Sequence, residues 1–166
     1  MGAIEIDPTT LPQRALVDTG VLIRALGERP SDPNSPVCEA FWTAMLENSR
    51  ELLIAAPSLA EMIRQEGKGS FPRRRGVEVV AFDDRAAQEL GRRFPERVLQ
   101  LERDATSLPK HYIKYDALIV ACAIRHKATH VITLDGPMTS LAGKAGIQVV
   151  APTVFLRAQL KIPGTD

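Results

Sequence analysis

RALVDTGVLIRAL, residues 14–26, opens with an apolar run that stops at Asp18, and helix-like character follows from Val21 to Leu26. Asp18 therefore falls where a strand ends and a helix begins. The same punctuation recurs outward along the chain. Leu52 to Ala55 is a short strand, and Pro57 opens the helix Ser58 to Gln65, which carries Glu61. Val131 to Leu134 is another strand and ends at Asp135. A helix from Met138 to Ala145, closed by Gly146, and a last strand, Ile147 to Val150, follow it. Between these pieces lie a helix at Val37 to Glu47, a strand at Val77 to Phe82, and a helix capped by Asp83 or Asp84 that runs to about Phe94. A polar helical piece spans Glu96 to Asp104. Tyr115 to His126 is apolar almost all round from Ala117 onward, which marks a buried helix with Asp116 at its start. Short apolar strands alternating with helices predict an α/β fold, a three-layer α/β/α arrangement around a central parallel sheet. In such sheets ligands bind beyond the carboxyl ends of the strands.

The chain has 166 residues, the size of one domain, with 45% hydrophobic and 25% charged residues. The domain is placed at residues 14–155, with loose tails at 1–13 and 156–166. The 21 Lys plus Arg nearly balance the 20 Asp plus Glu, for a net charge of +1, so no whole-molecule field draws the protein onto a polyanion. Any such partner must meet a local patch. Cys38 and Cys122 sit in unlike contexts, which argues for reduced thiols and a cytoplasmic setting, and against a disulfide framework or a Cys-ligated metal. The first residues lack the apolar stretch of a secretory signal. No apolar run approaches the roughly 18 to 20 residues that span a bilayer, so no membrane is expected.

Asp18 and Asp135 each close an apolar strand, Glu61 lies shortly past a third strand end, and Asp116 opens the buried helix. With parallel strands, four carboxylates could converge on one rim. Each has an ordinary alternative when taken singly: helix caps for Asp116 and Asp135, a turn for Asp18, a solvated helix position for Glu61. Together they differ, because two like charges about 4 Å apart repel by ~1 kcal/mol in water and ~4 kcal/mol at the effective dielectric of a protein surface. A divalent cation relieves that repulsion, and an all-oxygen set prefers Mg²⁺ or Mn²⁺ to zinc. The 3 histidines, His111, His126 and His130, have no zinc-site spacing.

These pieces resemble the PIN domain family, and within it the VapC-like toxins. The matching stretches are ALVDTGVLIRAL (15–26), APSLAEMIRQ (56–65), VVAFDDRAAQELG (79–91), YDALIVACAIRHKATHVITLDGPM (115–138) and LAGKAGIQVVAP (141–152). The resemblance implies that Asp18, Glu61, Asp116 and Asp135 are the catalytic, metal-binding acids. Asp18 and Asp116 are expected to bind directly, and Asp135 and Glu61 through water or a second ion. Thr19 and Thr133 match the family's small hydroxyl positions. The implied activity is a Mg²⁺- or Mn²⁺-dependent ribonuclease, and the VapC-like members imply a toxin held by a cognate antitoxin. Two positions depart from the family: Gly20 stands where an Asn is common two residues after the first acid, and Met138 where an aromatic is common.

The expected substrate is RNA. Lys68 with Arg73, Arg74 and Arg75, Lys110 with Lys114, and Arg125 with Lys127 are the basic clusters that could meet its backbone, against the alternative that they are solvated surface. The helix at Val37 to Glu47, with Phe41 and Trp42, is a candidate homodimer or antitoxin surface, the alternative being core. Two other functions fit the same sequence: a PIN nuclease of RNA processing or DNA repair without an antitoxin, and a catalytically inactive PIN fold used as a binding module. A phosphatase would want an Asp at position 20.

Overall fold

A computed structural model describes residues 4–27, 31–67 and 74–157. The strands are β1 (Arg14–Val17), β2 (Glu51–Ala55), β3 (Val77–Val80), β4 (His130–Ile132) and β5 (Gln148–Val150). The helices are α1 (Thr19–Leu26), α2 (Ser35–Glu47), α3 (Ala56–Glu66), α4 (Asp84–Arg93), α5 (Glu96–Thr106), α6 (Lys110–Arg125) and α7 (Gly136–Lys144). All four strand pairings are parallel, in the order β3-β2-β1-β4-β5.

The three central strands, β2, β1 and β4, are apolar and buried after their first residue because both faces of the sheet are covered there, whereas the edge strands β3 and β5 are more exposed. Side chains alternate across the sheet. Ala15, Val17, Leu52, Ile54 and Ile132 pack with Val21 of α1, Val37 and Phe41 of α2 and Met62 of α3. Leu16, Leu53 and Val131 face the other way, against Leu99 of α5, Ile113 and Val120 of α6 and Leu141 of α7. The three predicted layers are present.

Strand order fixes where a site can form. The chain builds outward from β1 through β2 to β3, then returns to place β4 on the free side of β1. Between β1 and β4 the connections leave in opposite directions, which opens a crevice at the carboxyl ends of these two strands. Val17 pairs with Ile132, so Asp18 and Thr133 stand next to each other on that rim.

Four sequence expectations change. The buried helix begins at Lys110, not near Tyr115, so Asp116 lies two turns inside α6 and does not open it. Lys110, His111 and Lys114, ahead of that expected start, form the exposed side of the first two turns of α6, whose other side buries Ile113. β4 stops at Ile132, so Asp135 lies past the strand end and not on it. Phe41 and Trp42 are buried, Phe41 stacked on Phe155 with ring centroids 5.2 Å apart, so they belong to the core and not to a free surface. Finally, the inner parts of the two expected tails meet: Ile6 and Leu156 form an antiparallel bridge, Asp7 N–H donates to Phe155 O at 2.8 Å, and Leu11 is buried, while residues 1–3 and 158–166 lie outside the described residues. Pairing satisfies backbone groups that a free tail would leave to water.

Cys38 and Cys122 are both buried free thiols, and burial pushes them up to about 11 and about 12. Among the described residues no helix is long and apolar enough to cross a membrane.

Candidate metal centre

Asp18 is delivered to the rim by β1 and is 7% exposed. Its Oδ2 accepts a 2.8 Å hydrogen bond from Thr133 Oγ1, across 115 positions of chain. The same hydroxyl oxygen accepts from Asp135 N–H at 2.9 Å, an ST-type turn that bends the chain out of β4. One buried hydroxyl thus joins the first and last acids of the sequence set. Tyr115 O–H donates to Pro57 O, which ties α6 to the start of α3.

Helix capping does not explain these acids. Asp18 and Asp135 occupy the N-cap positions of α1 and α7, yet neither side chain makes a capping hydrogen bond. Asp83, at the same position of α4, accepts from Ala86 N–H at 2.8 Å, so a capping aspartate in this fold is recognisable when present. Asp116 and Glu61 lie inside their helices, where no cap is needed; Glu61 accepts from Gln65 Nε2 at 3.1 Å.

All four acids line one cavity of about 710 Å³, with Thr19 and Gly20. Arg24, Arg64, Gln65, His111, Tyr112 and Tyr115 also line it. Burial pushes the Asp18 carboxyl up to about 6, helped by the charges of Asp135 and Glu61 and opposed chiefly by the Thr133 hydrogen bond. Asp116 is pushed further, to about 8, by burial and then by Asp18, Asp135 and Glu61 in turn. Loss of solvation raises Asp135 as well. Asp18 and Asp116 are therefore placed where the charges of the other acids reach them, as isolated surface groups would not be.

The donor set suits a hard divalent cation. It is all oxygen, and Thr19 Oγ1 is buried at the cavity without a hydrogen-bond partner. Among the described residues no three His, Cys, Asp or Glu side chains close on a single point that could hold an ion. Mutual repulsion of carboxylates without a counter-charge favours that spread. Asp18, Asp116, Asp135 and Glu61 are the residues that could hold a cation here, with Thr19 beside them.

None of the basic residues expected from sequence that are among the described residues lines the cavity. Lys68 and Arg73 lie outside the described residues, and Arg74 and Arg75 are exposed away from the cavity. Lys114 is exposed, and Lys110 pairs with Glu96. The residues missed are Arg24, Arg64, His111 and Tyr112, and helical spacing carried a signal for three of them. Arg64 is one turn past Glu61, and His111 and Tyr112 are about one turn ahead of Asp116. A second concavity, of about 770 Å³, is lined by Ile4, Ile6, Glu39, Thr43 and Glu47 among others, and lacks such a convergent set.

A model of the PIN domain matches residues 15–144, and the chain belongs to the PIN domain family. Two solved structures share its fold. One, the structure of FitAB bound to an IR36 DNA fragment, contains a chain 19% identical, with a TM-score of 0.54 over 83% of this chain and 94% of that one. The other, VapBC2 from Rickettsia felis bound to a DNA fragment from its promoter, is 15% identical, with a TM-score of 0.54 over 82% of this chain and 97% of that one. No curated protein matches the chain by sequence. PIN domains are generally nucleases.

Proposed function

We propose that the protein is a Mg²⁺- or Mn²⁺-dependent endoribonuclease, the toxin of a toxin–antitoxin pair. The observation that carries this reading is the placement of four carboxylates around one cavity at the crevice between β1 and β4, with one threonine hydroxyl bonded both to the Asp18 carboxylate and to the backbone N–H of Asp135. When bound, a divalent cation would polarise the scissile phosphate, lower the pKa of a coordinated water and stabilise the leaving oxygen.

The chain's own residues prepare that chemistry. Asp18 and Asp116 are the direct ligands in this reading, and burial first, then the charges of neighbouring acids, raises both carboxyls. Asp135 and Glu61 act through water or a second ion. Thr133 fixes the Asp18 carboxylate against rotation, and Thr19 offers an unused hydroxyl. The partner assignment draws on the solved relatives, FitAB and VapBC2, both determined bound to DNA. By that analogy this protein acts with a cognate antitoxin and as a homodimer in the cytoplasm, with Lys110 and Lys114 near the path of the RNA.

The test is RNA cleavage in Mg²⁺ or Mn²⁺, against EDTA and against Asp116→Asn. Turnover is expected to vanish in both, with the circular dichroism of the variant unchanged. Equal cleavage by wild type and variant would sink the assignment of the site. RNA binding without cleavage in either metal would favour the inactive binding module.

A further inference from the structure

Arg24 occupies the place that the unusual glycine vacates. Its Nη1 donates to Gly20 O at 3.0 Å, which folds the side chain back along α1 toward Asp18. A Cβ at position 20 would stand 3.2 Å from that Nη1 and 3.6 Å from Asp18 Oδ2. Even a methyl there would require the guanidinium to give by a few tenths of an ångström. On its other edge, Nε donates to Asp32 Oδ2 at 2.8 Å, in a pair that is only partly exposed. The guanidinium is therefore held from two directions at the wall of the cavity that contains the four acids.

We propose that Arg24 is the phosphate anchor of the site: a positioning residue that binds a backbone phosphate of the RNA next to the one cleaved, with Gly20 as the residue that makes room for it and Asp32 as its tether. The inference rests on the ribonuclease reading above. The charge argument is direct, because a polyanion entering a cavity walled by four carboxylates needs a fixed cation. A guanidinium already held in place gives two-pronged donation to phosphate oxygens with little ordering left to do. The alternative is that the Arg24–Asp32 pair only clips α1 to the segment after it.

The two roles separate in a salt titration. A labelled single-stranded oligoribonucleotide is bound in EDTA, which keeps hydrolysis off, and affinity is followed by anisotropy against KCl concentration. Arg24→Gln is expected to reduce the slope of log affinity against log salt by about 0.7, the value for one single-strand phosphate contact. Affinity should fall about tenfold, as for loss of a hydrogen bond to a charged group. Arg24→Lys should restore the slope and stay several-fold weaker for want of the fork. Asp32→Asn should keep the wild-type slope. In Mn²⁺, Arg24→Gln should raise KM with kcat little changed. A wild-type slope in Arg24→Gln, with equal losses of melting temperature in Arg24→Gln and Asp32→Asn, overturns the proposal and leaves a structural clip. If Arg24→Gln fails to fold, an Arg24→Lys variant that matches wild type in slope, affinity and KM overturns it as well. A wild-type protein that neither binds nor cleaves RNA refutes the ribonuclease reading itself, and the anchor with it.

Discussion

Asp116→Asn should make the metal-free protein more stable, and the gain should depend on pH. In the folded chain Asp116 is raised from 3.8 to about 8. A carboxyl with a folded pKa that high binds its proton more tightly when folded than when unfolded, so stability falls as pH rises. The loss begins near the unfolded value, grows through the window up to about 8, and stays fully developed above it. At pH 7 the linkage amounts to a cost on the order of 4 kcal/mol, which comes first from burial and then from the repulsion of Asp18, Asp135 and Glu61. The amide has nearly the same shape and no charge, so the substitution removes most of this cost and eases Asp18 as well. For a chain of this size the gain corresponds to roughly 10 °C in melting temperature at pH 8, shrinking toward zero near pH 4. Mn²⁺ should raise the wild-type melting temperature, by about 3 kcal/mol of stabilisation at a hundredfold excess over Kd, and should raise the variant much less. The assay is thermal unfolding of both proteins from pH 4 to pH 9, with EDTA and with Mn²⁺. A wild-type melting temperature that is flat in pH and indifferent to Mn²⁺, together with a destabilised variant, would falsify the electrostatic picture of the cavity.

Thr133→Val removes both the donor to Asp18 Oδ2 and the acceptor of Asp135 N–H. A loss of about 2 kcal/mol is expected in denaturant melts, and because the Thr133 bond lowers the Asp18 pKa, the acidic limb of the cleavage pH profile should move to higher pH. Tyr112 is 56% exposed and lines the cavity, with its ring 4.5 Å from that of His111. Tyr112→Ala should leave the melting temperature within error and weaken single-stranded RNA about fivefold or more in anisotropy titrations, as loss of one stacked base does. Deleting residues 1–7 removes the Ile6 bridge to Leu156 and should cost about 1 to 2 kcal/mol in denaturant melts, with RNA cleavage rate per folded molecule unchanged.

How much was legible in the sequence can be told from single residues. Apolar runs broken by Asp18, Pro57 and Asp135 carry the strand-to-helix alternation, because the two periodicities are local properties of neighbouring side chains. Parallel strands follow from that alternation and put their carboxyl ends on one rim, so the neighbourhood of Asp18 and Asp135 was readable before any coordinate, whereas Glu61 and Asp116 reach the same cavity from inside α3 and α6. Pattern also misled where a helix had a polar side: Lys110, His111 and Lys114 hid the first two turns of α6, and so placed Asp116 at a helix start that it does not occupy.

What only the tertiary structure decided are the contacts that span the chain. The bond from Thr133 to Asp18 depends on the register of β4 against β1, and no local signal encodes a partner 115 residues away. The pairing of Ile6 with Leu156 is of the same kind. The basic residues divide in the same way. Arg73 to Arg75 stand out in the sequence by their number, whereas Arg24 reaches the cavity because Gly20 leaves its backbone open and Asp32 lies within reach of Nε. The sequence determined which elements form and that Asp18 and Asp135 lie at strand ends on one rim; the packing of those elements decided that Arg24 and Arg64 line the cavity with the acids, because that depends on side-chain reach across space and not on position along the chain.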